Sequence, residues 1–509
     1  MAWIESFCKA AAAWITRNEG RALAGLLAGY AALLFGVHGT IPIYLDNPGY
    51  TDPSINYLAG NGFTSTCWYA QRGDAFWAGN VPLHQFLLIP WLKLFGPHYV
   101  SVLWLNFLYV AAGSALIWRA MQRSGLVRTA TWRLGAIAFF LSTDCAYLLL
   151  TTGRYDPLSF LLLGALAYLL TVQRAVGRLG GLAAVAALVP WAHLGAVLYT
   201  AVLGALLFLF YPRRFWKEVL CFGAGGAIGA LALAAFYHHF GVWDAFLASV
   251  APHARGSLAQ GDPTWKREGL SSFDLPFLAG ALLAFCIRGL LRRRAWRFPL
   301  FAIACVVAIP WAFLSRAVFP SDYGWFLFLP LVLFLFALFS AEPVFSRFSL
   351  PAVALLLVLG WMPPGNFLRR TVHHRLQMHR TGDPGPQIAA FSDKVLHAGD
   401  VAWISEAFYY DAKRRRLKIF TGPVVFPNPK EAPYPGEEED LRAVTVFIRE
   451  IAPWVPNRIT ELPDYWAPTG EELHTGGTAF VVYRRTGSPD TAALSHPSRS
   501  GGSATEGAK

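Results

Sequence analysis

Asp52 is the residue of this chain best placed to do chemistry. It stands in Tyr50-Thr-Asp52-Pro-Ser-Ile-Asn-Tyr57, where a carboxylate can orient an attacking hydroxyl or amine, or take its proton. An aspartate before proline also starts turns readily, so both readings stand. Asp46, in Leu45-Asp46-Asn-Pro-Gly49, poses the same choice with the turn favoured. Arg154 and Asp156 flank Tyr155 in a short turn and read either as a capping ion pair or as part of a site. His84 opens an apolar run after Pro82, and His193 sits beside Pro190 in an apolar stretch; for His193 a structural contact is the simpler reading. Arg255, Lys266 and Arg316, with Tyr323, form a scattered basic set suited to an anionic phosphate, because arginine makes bidentate contacts with such groups. Solvated loop charge is the plainer alternative.

These residues need a scaffold, and the composition says which kind. Of 509 residues, 55% are hydrophobic and 15% charged, with a mean hydropathy of +0.39. That is too apolar for a soluble chain, and several windows approach the twenty apolar residues a membrane span requires. The net charge of +12 is carried mainly by Lys and Arg between apolar segments, which is topology information rather than a nucleic-acid groove. The six cysteines show no C-x-x-C spacing, so neither a disulfide framework nor a cysteine zinc site is supported.

Residues 1–20 read as an amphipathic helix on the cytoplasmic membrane surface, and the first span follows from Arg21. A polar loop, residues 44–96, then carries Asp46, Asp52 and His84. At about fifty residues it far exceeds an ordinary connection, and its Trp, Tyr and Phe content argues for an ordered, functional loop facing outward. Arg119, Arg123, Arg128 and Arg133 mark the cytoplasmic end of the second span. The same alternation of basic clusters counts about eleven spans, ending near Trp361, with residues 179–211 as a hairpin broken near Pro190–His193. Asp144 falls about two turns inside the third span, where an aspartate costs on the order of 3 kcal/mol and should face a partner in the bundle.

After Pro363-Pro364 the composition changes. Val401–Ile404, Val444–Ile448 and Ala479–Tyr483 read as buried strands, which places a small α/β domain at 376–485. The run Lys413-Arg-Arg-Arg416 reads as a solvated face of that domain. Residues 487–509, rich in Gly, Ser, Thr and Ala, read as a disordered tail.

The order of these features resembles the GT-C superfamily of polyprenyl-phosphate-sugar glycosyltransferases. It looks most like the bacterial protein mannosyltransferase-like and aminoarabinose transferase-like branch. Tyr50 to Tyr57 occupies the place of that family's Asp-Glu-x-x-Tyr element, and Pro82 to Gly96 matches the apolar run that follows. Arg154-Tyr-Asp156 looks like the family's Arg-x-Asp, and Tyr323-Gly-Trp-Phe-Leu-Phe-Leu-Pro330 like its late Tyr…Pro element, with Arg316 displaced. Two departures stand out. Pro53 replaces the second acid, which weakens a two-carboxylate metal site, and Asn80 replaces the lysine of aminoarabinose transferases.

The resemblance implies a polytopic α-helical membrane protein of about eleven transmembrane helices, with a small extracytoplasmic α/β domain. It further implies an inverting glycosyltransferase in a bacterial inner membrane, with its N-terminus cytoplasmic and its C-terminal domain periplasmic. The donor would be a polyprenyl-phosphate sugar and the acceptor a lipid, glycan or protein. Asp52 would be the base. Arg154, Asp156, Arg255, Lys266, Arg316 and Tyr323 would serve the donor, and a divalent cation remains open as cofactor. A lipid-linked sugar flippase and an O-antigen-ligase-like enzyme are the competing readings.

Overall fold

The computed structural model describes residues 2–37, 46–67, 75–255, 274–291, 297–316, 324–361, 367–421, 442–451, 465–475 and 478–486. Helix α1 (Ala2–Arg17) leads into α2 (Glu19–Val37). Next come α3 (Asp46–Leu58), α4 (Leu83–Phe95) and α5 (Tyr99–Ser124). The third apolar stretch is two helices, α6 (Ala130–Ser142) and α7 (Asp144–Thr151). Then follow α8 (Asp156–Leu169), α9 (Ala175–Ala192), α10 (Leu194–Phe210), α11 (Pro212–His239) and α12 (Trp243–Arg255). The apolar part closes with α13 (Asp274–Leu291), α14 (Arg297–Arg316), α15 (Gly324–Ala341), the short α16 (Pro343–Arg347) and α17 (Ser349–Trp361).

Helices α2, α5, α9, α11 and α15 are long and apolar enough to cross a membrane, and α6, α8, α10, α13, α14 and α17 carry shorter apolar stretches beside them. Leu83–Phe95 (α4) is a further short apolar helix, and together these helices are what a polytopic helical membrane protein requires. The hairpin at 179–211 is α9 and α10, which meet at His193. Asp144 is not inside a continuous helix. Thr143 takes extended dihedrals and its hydroxyl accepts the Ala146 N–H at 3.3 Å, so it caps α7 and Asp144 is the first residue of the new helix.

Helix α11 runs against α9 at backbone distance. A Cβ at Gly225 or Gly229 would strike the carbonyl of Ala183 or Ala187, the close approach that a small-xxx-small pair allows in a membrane bundle. At another helix junction, both carboxylate oxygens of Glu19 accept from Arg133, through Nε and Nη2 at 2.7 Å each. The Trp118 indole donates to the same carboxylate at 2.5 Å. One buried charge pair therefore ties α2, α5 and α6 together.

The C-terminal part begins with α18 (Phe367–Thr381) and α19 (Pro384–Val395). It continues through β1 (Val401–Trp403), α20 (Tyr409–Arg414), β2 (Lys418–Phe420), β3 (Val446–Ile451), β4 (Trp466–Thr475) and β5 (Thr478–Arg485). The sheet order is β2-β1-β3-β5-β4. β1 is parallel to β2 and β3, whereas β5 is antiparallel to β3 and β4. Helix α20 is the crossover between the parallel strands β1 and β2. All three strands expected from sequence are present, and β2 and β4 are additional. One hydrophobic cluster runs from Leu23 on α2 to Val482 on β5, so the sheet is packed onto the bundle.

Replacing Glu19 by Gln leaves the Arg133 guanidinium without its countercharge, which costs about 3–5 kcal/mol for a buried pair. The expected outcome is a large fall in the unfolding midpoint in detergent; an unchanged midpoint would show that the pair does not hold the helices.

Candidate functional site

Two buried polar clusters meet on α3. Tyr50 and Asp52, two residues apart, take part in one cluster each.

The first cluster surrounds Asp52, whose side chain is completely buried. Oδ1 accepts from the Tyr409 hydroxyl at 2.8 Å and lies 2.5 Å from Lys413 Nζ. Oδ2 accepts from the Ser65 hydroxyl at 2.9 Å, and from Asn56 Nδ2 and the Thr66 backbone N–H at 3.2 Å each. Lys413 Nζ also donates to Asn56 Oδ1 at 2.8 Å. Both Tyr409 and Lys413 come from α20, so the C-terminal domain is docked on the first large loop through a buried charge pair. The Thr66 hydroxyl donates to the Ile419 carbonyl, and Cys67 Sγ lies 3.6 Å from the same oxygen. Burial, then the Asp52 charge, push the Tyr409 hydroxyl well above its ordinary range, so it keeps its proton and donates. The same two causes raise the Cys67 thiol.

The reading of Lys413 to Arg416 as a solvated face is thus corrected for its first member. Lys413 is 8% exposed and paired with Asp52, while Arg414 and Arg415 pair with Asp411 and Asp393 on the domain itself.

The second cluster centres on Asp156, at the start of α8. Arg154 Nε donates to its Oδ2 at 3.0 Å. His193 Nε2 lies 3.3 Å, and Trp325 Nε1 3.4 Å, from its Oδ1. The tautomer of His193 follows from its other nitrogen. Nδ1 accepts the Gly195 N–H at 2.8 Å, capping α10, so Nε2 carries the proton and donates to Asp156. The Arg154 guanidinium lies 5.6 Å from the Tyr50 ring and 5.7 Å from the Tyr155 ring. Asn80 Nδ2 donates to both tyrosine hydroxyls, at 3.2 and 3.4 Å.

The turn carrying Arg154 is held by its carbonyls. Tyr99 donates to Thr151 O at 2.8 Å, and Asn106 Nδ2 to Thr152 O at 2.6 Å and to Arg154 O at 3.1 Å. His84 Nε2 donates to Gly153 O at 3.0 Å, and burial lowers its pKa to about 4. Neutral His84 is therefore a backbone clamp beneath Arg154. Each peptide oxygen of this buried turn is satisfied, as burial demands.

The structure thus brings Arg154, Asp156 and His193 together, supports them with His84, and ties Asp52 to them through α3. Asp46 is the first residue of α3, and Arg255 and Arg316 are the last residues of α12 and α14. Lys266 and Tyr323 lie outside the described residues. The sequence reading did not single out Tyr409, and it named Lys413, Asn80 and Trp325 without these roles; only the tertiary fold brings the four to these clusters.

A divalent cation does not fit beside Asp52 as arranged, because both oxygens face hydrogen-bond donors and one of these is an ammonium. Among the described residues, no group of three or more His, Cys, Asp or Glu side chains is arranged to hold a metal ion.

No protein-family model matches the sequence, and no curated protein matches it. Among solved structures, the chain is similar to ArnT from Cupriavidus metallidurans bound to undecaprenyl phosphate, at 13% identity and a TM-score of 0.54. That likeness covers 90% of this chain and 97% of the other. ArnT from the same organism in its apo state gives 14% identity and a TM-score of 0.53, over 93% of this chain and 98% of that one. At this identity the likeness is one of fold, and it extends over nearly the whole of both chains.

Lys413→Met leaves Asp52 as an uncompensated buried charge, and Asp52→Asn leaves the ammonium; each should cost about 3–5 kcal/mol. In the double variant the two losses should not add. Thermal unfolding of the three variants measures this, and simply additive losses would show that the pair is not coupled.

Proposed function

We propose that the chain is a GT-C glycosyltransferase that moves a sugar from a polyprenyl-phosphate donor to an acceptor at the outer membrane surface. The observation that carries this reading is the likeness, over nearly the whole of both chains, to a structure that holds undecaprenyl phosphate. The two buried clusters supply the parts that such a transfer needs.

In the proposed reaction the acceptor oxygen or nitrogen attacks the anomeric carbon as the bond to the phosphate oxygen breaks, with inversion. The acceptor's proton passes to Asp52. The leaving polyprenyl phosphate takes the bonding electrons, and the Arg154 guanidinium, held by its clamped turn, stabilises that charge. Asp156 and His193 keep Arg154 in place. Asp52 can act as base only when one of its present donors is replaced, and the most readily replaced are the two on α20. Acceptor entry between α3 and α20, with Lys413 and Tyr409 withdrawing, therefore belongs to this reading. Arg255, Lys266, Arg316 and Tyr323 remain proposed donor contacts, and a cation has no step in this scheme.

The test counts polyprenyl phosphate released by protein in liposomes given a panel of polyprenyl-phosphate sugars and crude envelope acceptor. Loss of a general base should lower release roughly 10²–10⁴-fold. Asp52→Asn alone also disturbs docking, so the decisive variant is Asp52→Asn with Lys413→Met, which restores charge balance without a carboxylate. A stable double variant with wild-type release would remove Asp52 from catalysis. Arg154→Lys should raise the donor KM and lower kcat; no effect on either would remove Arg154 from the donor site.

A further inference from the structure

Helix α18 has a face that, among the described residues, neither the bundle nor the sheet covers. Its sequence, Phe367-Leu-Arg-Arg-Thr-Val-His-His-Arg-Leu-Gln-Met-His-Arg-Thr381, contains four arginines, three histidines and no acidic residue. Phe367, Thr371 and Met378 are buried. Phe367 packs on Tyr30 of α2 and Tyr147 of α7, with ring centroids 5.7 and 6.1 Å apart. The Arg370 guanidinium sits 4.8 Å from the Tyr147 ring. That side of the helix rests on the spans.

The opposite side carries Arg369, Val372, His373, Leu376 and Arg380, spaced three, four, seven and eleven residues from the first, which is one stripe of a helix. All five are exposed, with Val372 at 44% and Leu376 at 53%. Two aliphatic side chains flanked by arginine and histidine are the pattern of a helix lying in a membrane interface. Position agrees. Five residues separate the end of α17 from the start of α18, a reach of about 20 Å at most, so the helix cannot stand far from the bilayer.

The location of this charge calls for an explanation. With α17 read from the basic clusters as the eleventh span, α18 stands on the side opposite α1, away from the clusters that set topology. Its arginines do not serve orientation.

We infer that the exposed face of α18 binds the anionic headgroups of the adjoining phospholipid leaflet, with Val372 and Leu376 inserted between them. Charge complementarity selects the lipid: cationic residues with no acid among them favour phosphatidylglycerol-like headgroups over zwitterionic ones.

The test uses the full-length chain with its native cysteines replaced and a fluorophore on Val372→Cys, in nanodiscs containing nitroxide-labelled lipid. Quenching should be stronger in phosphatidylcholine with phosphatidylglycerol than in phosphatidylcholine alone. Each of Arg369→Gln and Arg380→Gln, the two arginines of that stripe, should lower that preference roughly fivefold. Both positions are exposed, so the variants should elute as the parent does. Equal quenching in the two membranes would overturn the inference. So would a phosphatidylglycerol preference that survives both substitutions, or no quenching in either membrane.

Discussion

The buried charge of Asp52 is the constraint on which the rest of the site depends. A carboxylate taken completely out of water is tolerable only with full compensation, and here five donors supply it. Three come from the first large loop and two from α20, more than 340 residues later in the chain. The loop therefore reaches its present arrangement only when the C-terminal domain is docked. The same requirement explains why one hydrophobic cluster continues from the spans into the sheet.

The second cluster meets a different demand. Arg154 lies in a buried turn between two spans, where an unsatisfied peptide group would be costly. Tyr99, Asn106 and His84 remove that cost by taking its carbonyls in succession. Fixing the backbone fixes the guanidinium, and Asp156 with His193 fixes it from the other side. Tyr50 joins this cluster to Asp52 through a single turn of α3. A ligand that altered one cluster would be felt at the other through that turn.

The spans were legible because uninterrupted apolar windows and basic punctuation are strong local signals. Asp52, Arg154 and Asp156 were legible as polar residues at the ends of such windows. The break at Thr143 was readable in principle, since Ser-Thr-Asp is helix-start chemistry, but the apolar run on both sides hid it. Strand β2 is three residues long, and β4 is interrupted by Pro468 and Gly470 with a register shift there, so neither shows clean alternation. Lys413 was unreadable for a physical reason. Its three arginine neighbours make the run look solvated, and nothing local says that one turn of α20 faces a buried aspartate. The aromatic pair Tyr409-Tyr410 ahead of the run was the only local hint that this helix has a buried side.

The proposed alternation of Asp52 between Lys413 and the acceptor is read out at Cys67, whose thiol lies against β2 where the loop and the C-terminal domain meet. The measurement is the alkylation rate of Cys67 in a chain whose other cysteines are replaced, with and without polyprenyl-phosphate sugars and acceptor. The account predicts faster labelling during turnover, and faster labelling of Lys413→Met even without substrate. A rate that is the same in all three states would contradict it.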